Sequence, residues 1–300
     1  MGDPTWITTG PERPVPDRRF RWVAATDPVN EPALDRLEQQ LAAFYAGNLD
    51  YFTLENGDFT NWTEARGPFG RIVSLTAGRR VLEVGCGLAG ILRNPGVRAA
   101  GYTGCDFPAD LMAENARRFP DARFVPLEVP RRLPFADAAF DLVFSVFVLE
   151  HVVFPHRFLD ECLRVCAPGG LVIVLCPDFL GRGLSSSQRF GFSPGTGREK
   201  LRRGRILDAL VTGYDVRIRL KRHAARLRDA AGDGPGFMIN LAPRLFSDPF
   251  QIDVDAVHQT YGPEIGAWLR RGADLIGTDP ETAGYCRENG LLFVEARKRA

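Results

Sequence analysis

Apolar residues follow two rhythms along this chain. Between Arg80 and Cys176 they gather in short, nearly continuous runs at 81–84, 102–105, 122–127, 140–147 and 171–176. Runs of that length without polar alternation suit strands buried on both faces. Between them the spacing turns helical. Pro108 opens a helix to about Arg118, and Phe158, Leu159 and Leu163 share one side of a helix over 154–166. Pro95 leaves room only for a short helix after the first run. Upstream, Asn30 caps a helix that includes Pro32 and carries Leu34, Leu37, Leu41 and Phe44 on its apolar side. A second helix is expected over 65–75. Downstream, Ile265, Trp268 and Leu269 mark a helix over 263–271, and 273–276 and 291–296 read as two closing strands. Five strands alternating with helices predict an α/β fold with a parallel, doubly wound sheet.

Three stretches lack this regularity. Residues 1–29, rich in Pro, Asp and Arg, read as an extended arm. Residues 45–62 (YAGNLDYFTLENGDFTNW) form either a packed loop or a lid carrying Tyr51, Phe52 and Trp62. Residues 178–250 form an insert that begins with glycine and serine and predicts helices near 199–211 and 214–229. The second helix is ambiguous, because its VRIRL segment also alternates as a strand does.

Charge changes the picture of that insert. The whole chain has a net charge of +1, which excludes a globally basic nucleic-acid binder. From 182 to 228, however, thirteen Arg and Lys face three acids, a local charge of +10 that leaves −9 on the rest. An arginine-rich solvated helix and a surface for an anionic or carrier-linked ligand both fit. Nucleic acid is not expected, since no aromatic platform interleaves the cations. No apolar run approaches the roughly 20 residues of a membrane span, and the N-terminal residues contain no apolar signal core. No membrane partner and a cytoplasmic location are therefore expected. The six cysteines form no C-x-x-C pair and attract no histidine cluster, so reduced, buried thiols and no metal are expected.

The segment with most chemical content is VLEVGCGLAG at 81–90. A strand breaks into glycines at Gly85, Gly87 and Gly90, in the G-x-G-x-x-G spacing that by itself signals a dinucleotide turn weakly. Glu83, two residues before the first glycine, would repel phosphate and suits a cationic or hydroxyl-bearing ligand. Together, E-x-G-x-G, the FDLVFSVFVLEHV segment at 140–152, and the APGG turn at 167–170 resemble the class I S-adenosylmethionine-dependent methyltransferases. Ala89 departs from the family's frequent third glycine.

That resemblance implies a mostly parallel seven-stranded sheet, its last strand antiparallel between its neighbours. It implies N-terminal helices and arm (1–77), a cofactor-binding Rossmann-like core (78–177), a basic insert after strand five that would cap the substrate (178–250), and a C-terminal part of the sheet (251–300). It implies S-adenosylmethionine as cofactor and S-adenosylhomocysteine as product. Gly85, Cys86 and Gly87 would let the backbone approach the methionine half, with Glu83 beneath. Asp106, followed by Phe107, would accept hydrogen bonds from both ribose hydroxyls. Glu128 and Val129 fall where an acid usually reaches the adenine. Ser145 and Val146 would present carbonyls to the methionine ammonium.

Methyl transfer needs alignment above all, and a hydroxyl acceptor also benefits from a base. His151, just past strand four, is the first candidate and His258 the second; His156 follows and His223 reads as surface. Asp253 and Asp255 share one side of an extended segment and are either exposed acids or an incipient metal site. The reading is O-methylation of a small sugar, nucleotide-linked or natural-product substrate by a monomer or homodimer. N- or C-methylation, a catalytically silent S-adenosylmethionine binder and an NAD-dependent oxidoreductase are the rivals.

Overall fold

The computed structural model describes residues 20–24, 32–47, 59–128, 132–182, 191–193, 195–222, 225–226, 236–241, 243 and 255–300. The chain forms two compact units: Met1–Asn30 with Phe179–Gln259, and Glu31–Asp178 with Thr260–Ala300.

The larger unit is built on the apolar runs. Its strands are β2 (Val81–Val84), β3 (Tyr102–Asp106), β4 (Arg123–Pro126), β5 (Phe140–Val146), β6 (Cys166–Pro177), β8 (Ala273–Ile276) and β9 (Leu291–Lys298); β1 (Phe20–Ala24) and β7 (Gly236–Asn240) belong to the smaller unit. The sheet order is β4-β3-β2-β5-β6-β9-β8. The first five strands are parallel, and β9 runs antiparallel between β6 and β8. The chain therefore steps outward from β2 to β4, then returns to the other side of β2. That reversal leaves a crevice at the carboxyl ends of the central strands, where open α/β sheets bind ligands.

Helices α1 (Pro32–Gly47), α2 (Thr60–Thr63), α3 (Gly67–Thr76), α4 (Ala109–Arg118) and α5 (Pro155–Val165) precede or connect these strands. Trp62, Phe69, Ile72, Leu142, Phe144 and Ile173 share one core cluster with the sheet. Trp62 is thus core, its ring edge-on to Phe69 at 4.9 Å; Tyr51 and Phe52 lie outside the described residues. Arg71 grips the buried Glu295 of β9 through two hydrogen bonds of 2.9 and 2.8 Å.

Two features differ from the sequence expectation. The APGG segment does not separate helix from strand; it bulges within β6, with Phe140 paired to Cys166 and Leu142 to Leu171. A helix also covers Pro280–Asn289 between the two closing strands. Its amphipathic period is weak, yet its ends are marked: Asp279 accepts from Thr282 N–H at 2.9 Å, Pro280 opens the first turn, and Gly290 closes it at φ 71°.

The smaller unit contains α6 (Phe179–Arg182), α7 (Gly197–Arg202), α8 (Ile206–Tyr214), and strands β1 (Phe20–Ala24) and β7 (Gly236–Asn240). Strands β1 and β7 pair antiparallel, and His258 bridges Ile239 beside them. Neither strand is in the sequence expectation; the arm at 1–29 contributes β1. The VRIRL ambiguity resolves to helix, since Asp215–Arg219 continues α8 as one π turn. The remaining helices of the larger unit are α9 (Gly262–Leu269) and α10 (Pro280–Asn289).

Candidate active site

The glycine turn after β2 is held from below. Gly85 N–H and Cys86 N–H both donate to Cys105 O, at 2.8 and 3.1 Å, and Gly87 N–H donates to Asp106 Oδ2 at 2.8 Å. Asn115 of α4 donates to Gly87 O at 2.7 Å. Gly85 has φ 74°, and a Cβ there would come within 2.3 Å of Val148; only glycine fits. Ala89 occupies the left-handed region at φ 51°, the conformation that makes glycine frequent at this place in the resembled motif. Cys86 turns its side chain down against Leu111 and Met112, and burial pushes its thiol well up.

This arrangement suits a ligand other than phosphate. A phosphate turn offers free amides at the start of a long helix. Here the amides of Gly85, Cys86 and Gly87 are already bonded, and Gly90–Arg93 is a four-residue 3₁₀ turn.

Asp106 ends β3 and is buried. Its two oxygens accept one backbone N–H each, from Gly87 and from Phe107 at 2.7 Å. A carboxylate has about four lone-pair sites, so two stay open among the described residues. Burial raises its pKa, and those two bonds, together with His151 nearby, oppose the rise.

His151 closes the 3₁₀ turn Leu149–His151 after β5. Its Nε2 lies 3.9 Å from Oε1 of the fully buried Glu150. Tyr45, near the end of α1, meets the His151 ring edge-on at 6.5 Å and stacks on Phe107 at 6.2 Å. Asp106, Phe107, His151 and Tyr45 thus converge beyond the ends of β3 and β5. Tyr45, Glu150 and Asn115 are absent from the sequence-derived candidates. The LEH triplet and the aromatic run that starts at Tyr45 were the available signals.

The other candidates are placed variously. Glu83 lies within the sheet, where its carboxyl accepts from Tyr102 O–H; burial raises its pKa to about 8. Ser145, at the end of β5, has a buried hydroxyl that finds no hydrogen-bond partner among the described residues. Val146 packs on the core cluster. Glu128 is exposed just after β4, beyond the bond from Leu127 N–H to Asp106 O. Val129, His223 and Asp253 lie outside the described residues. His258 belongs to the smaller unit, fully buried against Phe237 at 5.3 Å. His156 is buried, which lowers its pKa to about 4. Among the described residues, no three His, Cys, Asp or Glu side chains gather as metal ligands.

Residues 82–174 match the family described as "Methyltransferase domain". Over these residues the chain is similar to methyltransferase domains. The match contains every converging residue except Tyr45. Curated relatives match mainly this region. A demethylmenaquinone methyltransferase of Beutenbergia cavernae is 38% identical over 97 residues, which cover 32% of this chain and 40% of that one. A ubiquinone biosynthesis O-methyltransferase of Maricaulis maris is 36% identical over 102 residues, covering 32% and 39%. The chain thus spans about two-fifths of the length of these relatives. A solved structure of Burkholderia thailandensis 1,6-didemethyltoxoflavin-N1-methyltransferase, with bound 1,6-didemethyltoxoflavin and S-adenosylhomocysteine, has a TM-score of 0.48 at 16% identity, covering 96% of this chain and 100% of that one. The methyltransferase domain fits the S-adenosylmethionine class on its own chemistry. Among the described residues, the acceptor positions left on Asp106 and on the Ser145 hydroxyl are of the kind that suits hydroxyl and ammonium donors.

Proposed function

We propose that this chain is an S-adenosylmethionine-dependent methyltransferase that methylates a hydroxyl of a small sugar, nucleotide-linked or natural-product acceptor. The observation that carries the reading is Asp106: a buried carboxylate fixed by two backbone amides, with two lone pairs open and His151 beside it.

In this reading Asp106 accepts from the ribose hydroxyls. The glycine turn lets the methionine half lie against the backbone, and Ser145 with the Val146 carbonyl receives its ammonium. Glu128 and Val129 flank the adenine. Bound S-adenosylmethionine supplies an electrophilic methyl group on a sulfonium. His151 takes the acceptor's hydroxyl proton, and Glu150, 3.9 Å from its Nε2, positions the imidazole. Glu83 acts at one remove, by holding Tyr102 under the turn. The basic stretch at 182–228 supports an anionic or carrier-linked acceptor, and the protein works in the cytoplasm.

The test is transfer of a labelled methyl group from S-adenosylmethionine to a fractionated small-molecule extract. Labelled product with wild type, lowered about 100-fold in His151→Ala at unchanged S-adenosylhomocysteine affinity, is the expected result. Full turnover in both His151→Ala and His258→Ala removes the base-assisted O-methylation reading.

A further inference from the structure

Six of the seven large hydrophobic side chains that the described residues leave exposed lie in one stretch of the smaller unit: Leu201, Ile206, Leu207, Leu210, Tyr214 and Ile218. The seventh is Phe147 of the larger unit. Leu207 and Leu210 are 68% and 65% exposed, far more than packing requires of single surface apolar residues. Leu207, Leu210, Tyr214 and Ile218 recur at three- and four-residue spacing, so they form one stripe along α8 and the π turn that continues it.

The charges around the stripe are sorted in a way the sequence total hides. The acids of this segment point inward. Asp208 is buried and takes Lys200 Nζ at 3.2 Å; Asp215 is buried and pairs with Arg219 at 3.1 Å. Lys200 is itself buried, with a second bond to Thr212 Oγ1 at 2.7 Å. The two inner acids are thereby neutralised by two cations. What stays on the outside is Arg198, Arg202, Arg203, Arg205, Arg217, Lys221 and Arg222 against Glu199 alone. Glu199, in turn, closes the capping box of α7 with Thr196.

We propose that α7, α8 and the π turn dock on an anionic lipid bilayer surface, the apolar stripe entering the headgroup boundary and the arginines meeting lipid phosphates. A helix with an apolar stripe and a dense cationic margin has the composition of an interfacial helix. The same surface fits a second copy of the chain poorly, because a two-fold contact sets cation margin against cation margin. No helix among the described residues is long and apolar enough to cross a membrane, so the contact is peripheral. It is a contact that the absence of a spanning run in the sequence does not address.

The experiment is flotation of the full chain with vesicles of phosphatidylcholine alone and of phosphatidylcholine with phosphatidylglycerol, at low salt and at about 0.15 M salt. Wild type, Leu207→Glu/Leu210→Glu and Arg202→Glu/Arg203→Glu/Arg205→Glu are compared. S-adenosylhomocysteine calorimetry and thermal unfolding verify that each variant is folded. Wild type is expected to float with phosphatidylglycerol vesicles and not with phosphatidylcholine alone. Both variants are expected to lose at least about tenfold in partitioning, with unfolding unchanged. Failure of wild type to float overturns the proposal. So does flotation that the leucine pair does not weaken, which would make the surface a purely electrostatic anion site. Concentration-dependent dimers dissolved by the leucine pair, without flotation, would assign the stripe to a second copy instead.

Discussion

Asp106 and Asp208 are both buried aspartates, one in each unit, and their partners differ. Among the described residues Asp106 takes its hydrogen bonds from backbone amides, so its charge is oriented rather than paired; burial raises its pKa against those bonds and the nearby His151. Asp208 is also desolvated, but Ser193, the Phe192 amide and Lys200 outweigh that and lower its pKa. The first arrangement leaves lone pairs for a ligand. The second uses the acid to anchor a helix and leaves the unmatched arginines outside. In the proposed reading the buried charge of Asp106 serves a ligand, whereas that of Asp208 anchors a helix.

Substitutions can break or sharpen that contrast. The largest effect is expected from Gly85→Val, which places a branched side chain at φ 74° and against Val148. It should cost about 3 kcal/mol or more of stability and abolish S-adenosylhomocysteine binding, read by thermal unfolding and calorimetry. Next is Lys200→Met, which leaves Asp208 without its buried cation. A loss of about 3 kcal/mol is expected, with S-adenosylhomocysteine affinity unchanged. If affinity falls with it, the two units do not divide their roles in this way.

The apolar runs made the larger unit legible. Five parallel strands follow from the runs at 81–84, 102–105, 122–127, 140–147 and 171–176, and the short element after the first from Pro95; the antiparallel last strand comes from the family resemblance, not from any local pattern. The place of Asp106 at the end of a strand was legible because an acid closes the apolar run at 102–105; its proposed role comes from the family resemblance. Helix α10 was not, because its apolar period is weak and only its caps announce it. Strands β1 and β7 pair residues more than 200 positions apart, a separation no local pattern reports. Tyr45 was hidden for a related reason, since its partners Phe107 and His151 are remote in sequence. The stripe on α8 misleads a periodicity argument, which assumes that apolar residues face inward.

Smaller effects probe the turn itself. Glu83 has a folded-state pKa of about 8, raised by burial, against about 4.3 in an unfolded chain. Its stabilising contribution is thus full below the unfolded value and is lost as pH rises through about 8. Glu83→Gln should retain stability relative to wild type above pH 8, by on the order of 1 kcal/mol, in urea titrations across pH. A constant difference across that range would show that the Glu83 carboxyl does not titrate within it. The smallest effect is Ala89→Gly, which relieves φ 51° and should stabilise by about 0.5 kcal/mol once glycine's added chain entropy is counted.

The account rests on Asp106 as the ribose anchor, and calorimetric titration of S-adenosylhomocysteine into wild type and Asp106→Ala, with NAD as control, tests it most directly. Two charge-assisted hydrogen bonds are at stake, so the variant is expected to bind about 100-fold more weakly while unfolding cooperatively. NAD should give no binding heat with either protein. Equal affinity in both proteins, or no binding of S-adenosylhomocysteine to wild type, would contradict the account.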